Sequence, residues 1–211
     1  MKTKLLALMV PLLMFSFVSV ASAQESEKSP WQIRLRAIGV IPDDSAKTTV
    51  LGGSADISND YVPELDITYF FTDHVAAELI LGTTKHHATA TDTILDDVPL
   101  GNFRILPPTL TLQYHFVADG KIRPYIGAGI NYSFFFDENP AGGAVTALKI
   151  GNSVGLALQV GVDIALDDHW LLNLDVKKLW LDTTAKVNDG AIVSKVNVDP
   201  WIFGVGFGYR F

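Results

Sequence analysis

Between Trp31 and Phe211 apolar side chains recur at every second position, run after run, and a turn signal follows each run. Period two means strands with two unlike faces, and it leaves little room for helices. Eight runs are legible, at 31–42, 62–71, 75–84, 109–116, 124–135, 153–166, 170–181 and about 198–211. In the sixth, Val154, Leu156, Leu158, Val160, Val162 and Ile164 face one way, and Gly155, Gln159, Gly161 and Asp163 the other. In the last, Trp201, Phe203, Val205, Phe207, Tyr209 and Phe211 oppose Gly204, Gly206, Gly208 and Arg210. The connections alternate as well. Segments 72–74, 117–123 and 167–169 are short, whereas 43–61, 85–108, 136–152 and 182–197 are long. Short turns at one end and long loops at the other predict an all-β, eight-stranded antiparallel transmembrane barrel of the outer-membrane type, with both termini at the periplasmic end.

The first 23 residues read as a targeting segment. Lys2 and Lys4 precede an apolar stretch from Leu5 to Val20, and Ala21-Ser22-Ala23 supplies a small-x-small cleavage site. The expectation is a cleaved signal peptide at 1–23 and a single barrel domain at 24–211. Without Lys2 and Lys4 the domain keeps 14 Lys and Arg against 23 Asp and Glu, a formal charge of −9 that repels nucleic acid. No cysteine is present, so core packing and ladder hydrogen bonds must hold the fold. Hydrophobic residues make up 48% of the sequence, yet no run after Gln24 is long enough for a spanning helix. A barrel reconciles these facts.

The interior of eight strands is barely wide enough for side chains. The glycines at 127, 129, 155, 161, 204, 206 and 208 all fall on the polar face. That face therefore lines the lumen, and the wide apolar face meets lipid. Trp31, Tyr69, Phe71, Tyr114, Phe116, Trp170, Tyr209 and Phe211 gather at the periplasmic strand ends as an aromatic girdle. Lys178 falls on the lipid face by parity, near the outer interface, where its ammonium can snorkel to the headgroups.

Arg34, Arg36, Asp66, Glu78, Asp163 and Arg210 fall inward in the lower half, and opposite charges at similar heights should pair. Two readings stay open: the pairs plug the periplasmic half, or they merely fill and stabilise the interior. Above them Ile80 and Ile202 are inward apolar exceptions. They are candidates to line a hydrophobic pocket with loop residues Ile94, Leu95, Leu100, Phe103 and Leu106. Gly151-Asn-Ser153-Val-Gly155, with Asp163, Asp175 and His169 downstream, fits a nucleophile-elbow pattern. The elbow requires a helix after the turn, whereas an alternating strand follows here. Gly204-Val-Gly206-Phe-Gly208 likewise lacks the spacing and helix of a phosphate loop. His86 and His87, with Asp92, Asp96 and Asp97, could gather a metal. Neighbours on an extended segment point apart, so a solvated acidic loop is the simpler reading. His115 reads as a hydrogen-bonded lumen histidine. No catalytic set, cofactor or metal is expected.

Several stretches resemble the outer-membrane protein W (OmpW) family: Leu106-Pro-Pro-Thr-Leu110, Arg123-Pro-Tyr-Ile-Gly-Ala-Gly-Ile-Asn-Tyr132, Gln159-Val-Gly-Val-Asp163, Asp182-Thr-Thr-Ala185, Asp199-Pro-Trp201 and Gly208-Tyr-Arg-Phe211. The resemblance implies an outer-membrane barrel with a hydrophobic lumen or groove that passes small apolar molecules. It also implies that the terminal Phe211 is the signal read by the barrel-assembly machinery. Lys177 points inward where the family often carries an aromatic, which makes the pocket less apolar. The expected function is uptake of small hydrophobic molecules, possible ligands beside the surrounding outer-membrane lipid. The alternative is a structural or surface-interaction barrel through which nothing crosses.

Overall fold

The computed structural model describes residues 29–43, 45–48, 54–93 and 96–211. The expected targeting segment at 1–23 and the pocket candidates Ile94 and Leu95 lie outside the described residues. In chain order the strands are β1 (Trp31–Ile41), β2 (Ser45–Thr48), β3 (Ser54–Ile57), β4 (Asp60–Phe70), β5 (Val75–Gly82), β6 (Thr84–Thr93), β7 (Asp96–Leu106), β8 (Thr109–His115), β9 (Ile122–Pro140), β10 (Leu148–Ile150), β11 (Ser153–Ala165), β12 (Trp170–Trp180), β13 (Asp182–Val187), β14 (Ile192–Asn197) and β15 (Trp201–Arg210). Among the described residues no helix is long and apolar enough to cross a membrane.

Eight of these strands close into a cylinder. Around it the order is β1, β4, β5, β8, β9, β11, β12 and β15, and every neighbouring pair is antiparallel. The first and last strands seal it, from Gln32 opposite Arg210 to Ile41 opposite Trp201. Closure removes the edge that hydrocarbon would leave without partners. At the periplasmic end Ser29 N donates to Phe211 O (2.7 Å) and Phe211 N donates to Trp31 O (3.2 Å).

The barrel is inside out relative to a soluble one. Along β1, Gln32, Arg34 and Arg36 are buried while Leu35 is 61% exposed; along β11, Gln159 is buried and Leu158 is 51% exposed. The lower girdle forms edge-on aromatic clusters, Trp31–Tyr69–Phe71 and Trp170–Tyr209–Phe211, with ring centroids 4.8–5.3 Å apart. Glycine makes room where the lumen is tightest. A Cβ at Gly161 would run into the Tyr125 ring, and one at Gly206 into the Leu35 carbonyl.

The long connections are not irregular loops. β2 and β3 lie within 43–61, most of β6 and all of β7 within 85–108, the end of β9 and β10 within 136–152, and β13 and β14 within 182–197. They form sheets that rise above the barrel. β3, β6 and β7 pair in series, β7 also pairs with β9, and β10-β13-β14-β2 make a separate four-stranded sheet. Their inner faces bury a common core of Ile57, Phe103, Ile105, Leu148, Leu181, Val187 and Val196. These segments are threonine-rich and alternate, so they suit a pleated surface, but their apolar residues are too sparse to mark strands by themselves.

Candidate functional site

The lumen is built in layers by inward parity. At the periplasmic floor Arg210 lies 4.0 Å over the Phe70 ring, Phe70 packs on His115 (4.9 Å), and His115 stacks on Tyr125 (5.0 Å). Arg210 belongs to this floor rather than to the charge network expected for it. Its Nε is 3.5 Å from the Ser29 carbonyl, because the last inward position of β15 reaches below the other charges.

Above the floor, Arg34 clamps Asp163 bidentately, with Nη2 to Oδ2 at 2.7 Å and Nε to Oδ1 at 3.2 Å, while Nη1 donates to Glu78 Oε1 at 2.7 Å. Arg36 is next: Nε is 2.6 Å from Asp66 Oδ2 and 3.1 Å from Glu64 Oε1, and Nη1 is 3.3 Å from Asp175 Oδ1. Lys177 caps the column, with Nζ 2.7 Å from Glu64 Oε1 and 3.4 Å from Asp175 Oδ1. Neutral side chains knit the layers together. Gln159 donates to both Glu78 and Asp175 at 2.8 Å, Gln113 to Glu78 at 2.8 Å, and the Tyr125 hydroxyl to Asp175 at 2.8 Å. All these groups are almost wholly buried. Taking a charge out of water is costly unless it is paired and hydrogen-bonded; here each charge has an ion-pair partner, most have several, and among the described residues Asp66 has Arg36 alone.

The structure thus brings Arg34, Arg36, Asp66, Glu78 and Asp163 together. It adds Glu64, Asp175 and Lys177, and the linkers Tyr125, Gln113, Gln159 and Asn173. All of these residues share the inward parity of their strands. Tyr125 stayed hidden because an aromatic on a barrel strand is expected to face lipid. The column holds three cations and five carboxylates, a formal surplus of two negative charges.

Directly above Lys177 and Glu64 lies a narrow apolar cavity with about 50 Å³ of free space. Ile38, Val40, Ile80, Leu179 and Ile202 wall it below, and Phe103, Ile105, Phe135, Leu181 and Val198 above. Ile80, Ile202 and Phe103 line it as expected from sequence. Leu100 and Leu106 do not. Leu100 packs against the outer core, and Leu106 is the neighbour of the inward Ile105 on β7, so strand alternation turns it the other way. Sequence reading assigned this region to loops, where parity has no meaning.

His86 and His87 point apart. His86 is buried, with Nδ1 2.6 Å from the Ser58 carbonyl and Nε2 2.9 Å from Thr84 Oγ1, while His87 is exposed. Among the described residues no three His, Asp or Glu side chains gather as a metal group would. Ser153 starts β11 and its hydroxyl donates to the Asp182 carbonyl. His169 sits at the opposite, periplasmic end, bonded to the Arg210 carbonyl, so no serine–histidine pair forms.

Comparison with known proteins agrees with this architecture. The OmpW family model matches residues 27–211. The outer-membrane protein y4mB of Sinorhizobium fredii is 49% identical over 187 residues, covering 87% of this chain and 80% of its own. The dibenzothiophene metabolism operon protein PahQ of Pseudomonas aeruginosa is 33% identical over 209 residues, covering 94% and 97%. Among solved structures, the outer membrane protein OprG of Pseudomonas aeruginosa superposes with a TM-score of 0.80 at 33% identity, covering 87% of this chain and 97% of that one. Closed fold, inverted faces and sequence relatives agree: this is an outer-membrane β-barrel, and the chain belongs to the OmpW family.

Proposed function

We propose that this barrel is a non-enzymatic uptake protein for small hydrophobic molecules, with the periplasmic half of its lumen shut by the ion-pair column. The observation that carries the reading is the vertical order of the lumen: an apolar cavity rests directly on a buried salt-bridge network. A molecule seated on the Lys177–Glu64 pair cannot continue downward without breaking charges out of their partners, which is expensive in a dry interior. It therefore leaves sideways, into the bilayer. A relative whose name ties it to dibenzothiophene metabolism supports an apolar cargo. The cavity at rest is smaller than such a cargo, so entry requires Phe103, Phe135 and Leu181 to swing aside.

Two measurements test this. In planar bilayers the intact barrel passes no large steady current; a stable, weakly selective conductance would refute the plug. In cells lacking other uptake routes, dibenzothiophene accumulation rises with expression of the barrel. A barrel with Ile80→Arg and Ile202→Arg loses that gain, and equal accumulation with and without the barrel would reject transport.

A second reading is a structural or surface-interaction barrel. The tight packing of Ile57, Phe103, Ile105, Leu181 and Val198 above the cavity favours it, since a filled upper end needs no ligand. It predicts that cavity substitutions alter stability and leave accumulation unchanged. For assembly, Phe211 is the proposed recognition residue for the barrel-assembly machinery.

A further inference from the structure

The outward face of the four-stranded sheet is basic, although the chain as a whole carries a formal net charge of −7. β13 continues the parity of β12, so Asp182, Thr184 and Lys186 extend the lipid face upward from Trp180. Lys149 stands directly opposite Lys186, and Lys195 directly opposite Lys47. Like charges facing each other across a ladder destabilise a sheet, and Lys149 and Lys186 do so here, with Lys195 on the same outward face. Lys149, Lys186 and Lys195 are exposed, and among the described residues none has a carboxylate within ion-pair distance. The nearby Glu138 carboxylate instead accepts from the Ile150 N–H (3.0 Å). Beside Lys195 lies an open polar cleft of about 290 Å³, shaped by Asn152, Asp182, Thr184 and Asn197.

The cleft's height identifies what it meets. Trp180 and Trp201 are exposed, and the Lys178 ammonium lies 4.9 Å over the Trp201 ring while pairing with Asp43 at 3.2 Å. That arrangement marks the outer interface. Thr184, opposite Lys195, is four residues beyond Trp180, roughly 10 Å higher on a tilted strand. The unpaired lysines therefore overhang the headgroup layer, on the side of the molecule that faces lipid.

We propose that this lysine face and its cleft bind the phosphate groups of outer-leaflet glycolipid headgroups, so that the sheet is seated on the membrane surface. Anionic headgroups would neutralise the Lys149–Lys186 pair and Lys195, and the polar cleft offers hydrogen bonds to a phosphosugar. Each lysine near an anionic surface contributes about five-fold in affinity.

The test uses the full barrel refolded in phosphocholine micelles and titrated with bisphosphorylated lipid A. The expected result is saturable shifting of the Lys149, Lys186, Lys195 and Asn152 amide resonances, with an affinity that weakens as salt rises. Combining Lys149→Gln, Lys186→Gln and Lys195→Gln reduces affinity at least ten-fold. Lys121→Gln, at the periplasmic end, leaves it unchanged. Heat-modifiable gel mobility verifies folding, and Lys195→Gln alone provides the comparison if the triple variant does not fold. Equal binding of dephosphorylated lipid A, or unchanged affinity in the lysine variants, overturns the proposal. Inorganic phosphate moving the same resonances with equal affinity would also overturn it, by making the surface a free-anion site.

Discussion

At the scale of single residues, the lumen depends on ion pairing across its strands. Arg36 lies among Glu64, Asp66, Glu78 and Asp175, so removing its guanidinium leaves four buried carboxylates facing one another with less compensation. Arg36→Ala is expected to lower folding stability by about 3–5 kcal/mol in urea titrations of the micelle-bound barrel, a cost set by uncompensated buried charge. Gly161 acts by what it lacks. Its missing side chain admits the Tyr125 ring, whose hydroxyl holds Asp175. Gly161→Ala should displace that ring and cost about 1–3 kcal/mol through the lost buried hydrogen bond, and Tyr125→Leu should relieve much of the clash. A Gly161→Ala barrel as stable as the parent would count against the close fit. Tyr125 illustrates a signal that was present but overruled: its parity with Gly127 and Gly129 points inward, against the general preference of barrel aromatics for lipid.

At the scale of elements, turns and extensions both weaken as pH falls, over different windows. In the periplasmic turn the Asp167 carboxylate accepts from the Trp170 N–H (2.7 Å) and the His169 N–H (2.9 Å), and these bonds hold its pKa below the ordinary carboxylate value. A depressed carboxylate contributes stability that is present above its unfolded pKa and is lost as pH falls through its folded value. Protection factors of the His169 and Trp170 amides should thus hold at neutral pH and fall only below about pH 4. In the extracellular extension, burial pushes His86 below the ordinary imidazole value. There the unfolded chain binds the proton more readily, so stability falls as pH drops through about 6.5 towards the folded value. Protection factors of the Ser58 and His87 amides, which join β3 to β6, should be lower at pH 5.5 than at pH 7.5, and His86→Phe should flatten that difference. The hairpins of this extension were hard to foresee. The alternation of Ser153 to Ala165 is unmistakable, whereas Asp182–Val187 and Ile192–Asn197 mix threonine, lysine and valine in a pattern equally suited to a loop.

At the scale of the whole molecule, the cylinder divides by depth into a polar floor, an ion-pair column, an apolar cavity and a capped extracellular core. The surplus of two negative charges in the column repels anions, so any residual leak should favour cations. Reversal potentials across a salt gradient check this, and anion preference would contradict the charge count. Combining Glu64→Gln with Lys177→Met removes the topmost pair together and avoids an orphaned charge. The lost ion pair lengthens the apolar cavity downward, and tighter binding of dibenzothiophene, read by fluorescence titration, is the expected outcome.

The sequence by itself determined strand count, lipid face and orientation, because hydrocarbon demands a closed barrel with an apolar exterior and a narrow lumen demands glycine within. It also placed Arg34, Asp66, Glu78 and Asp163 inside. Only the tertiary structure decided which charges meet. Partners such as Arg34 and Asp163 lie 129 residues apart, on strands that are not adjacent, and touch across the lumen. Register and shear, which parity does not encode, also put Arg210 on the floor, raised Lys177 to the top of the column, and turned the long connections into sheets above the barrel.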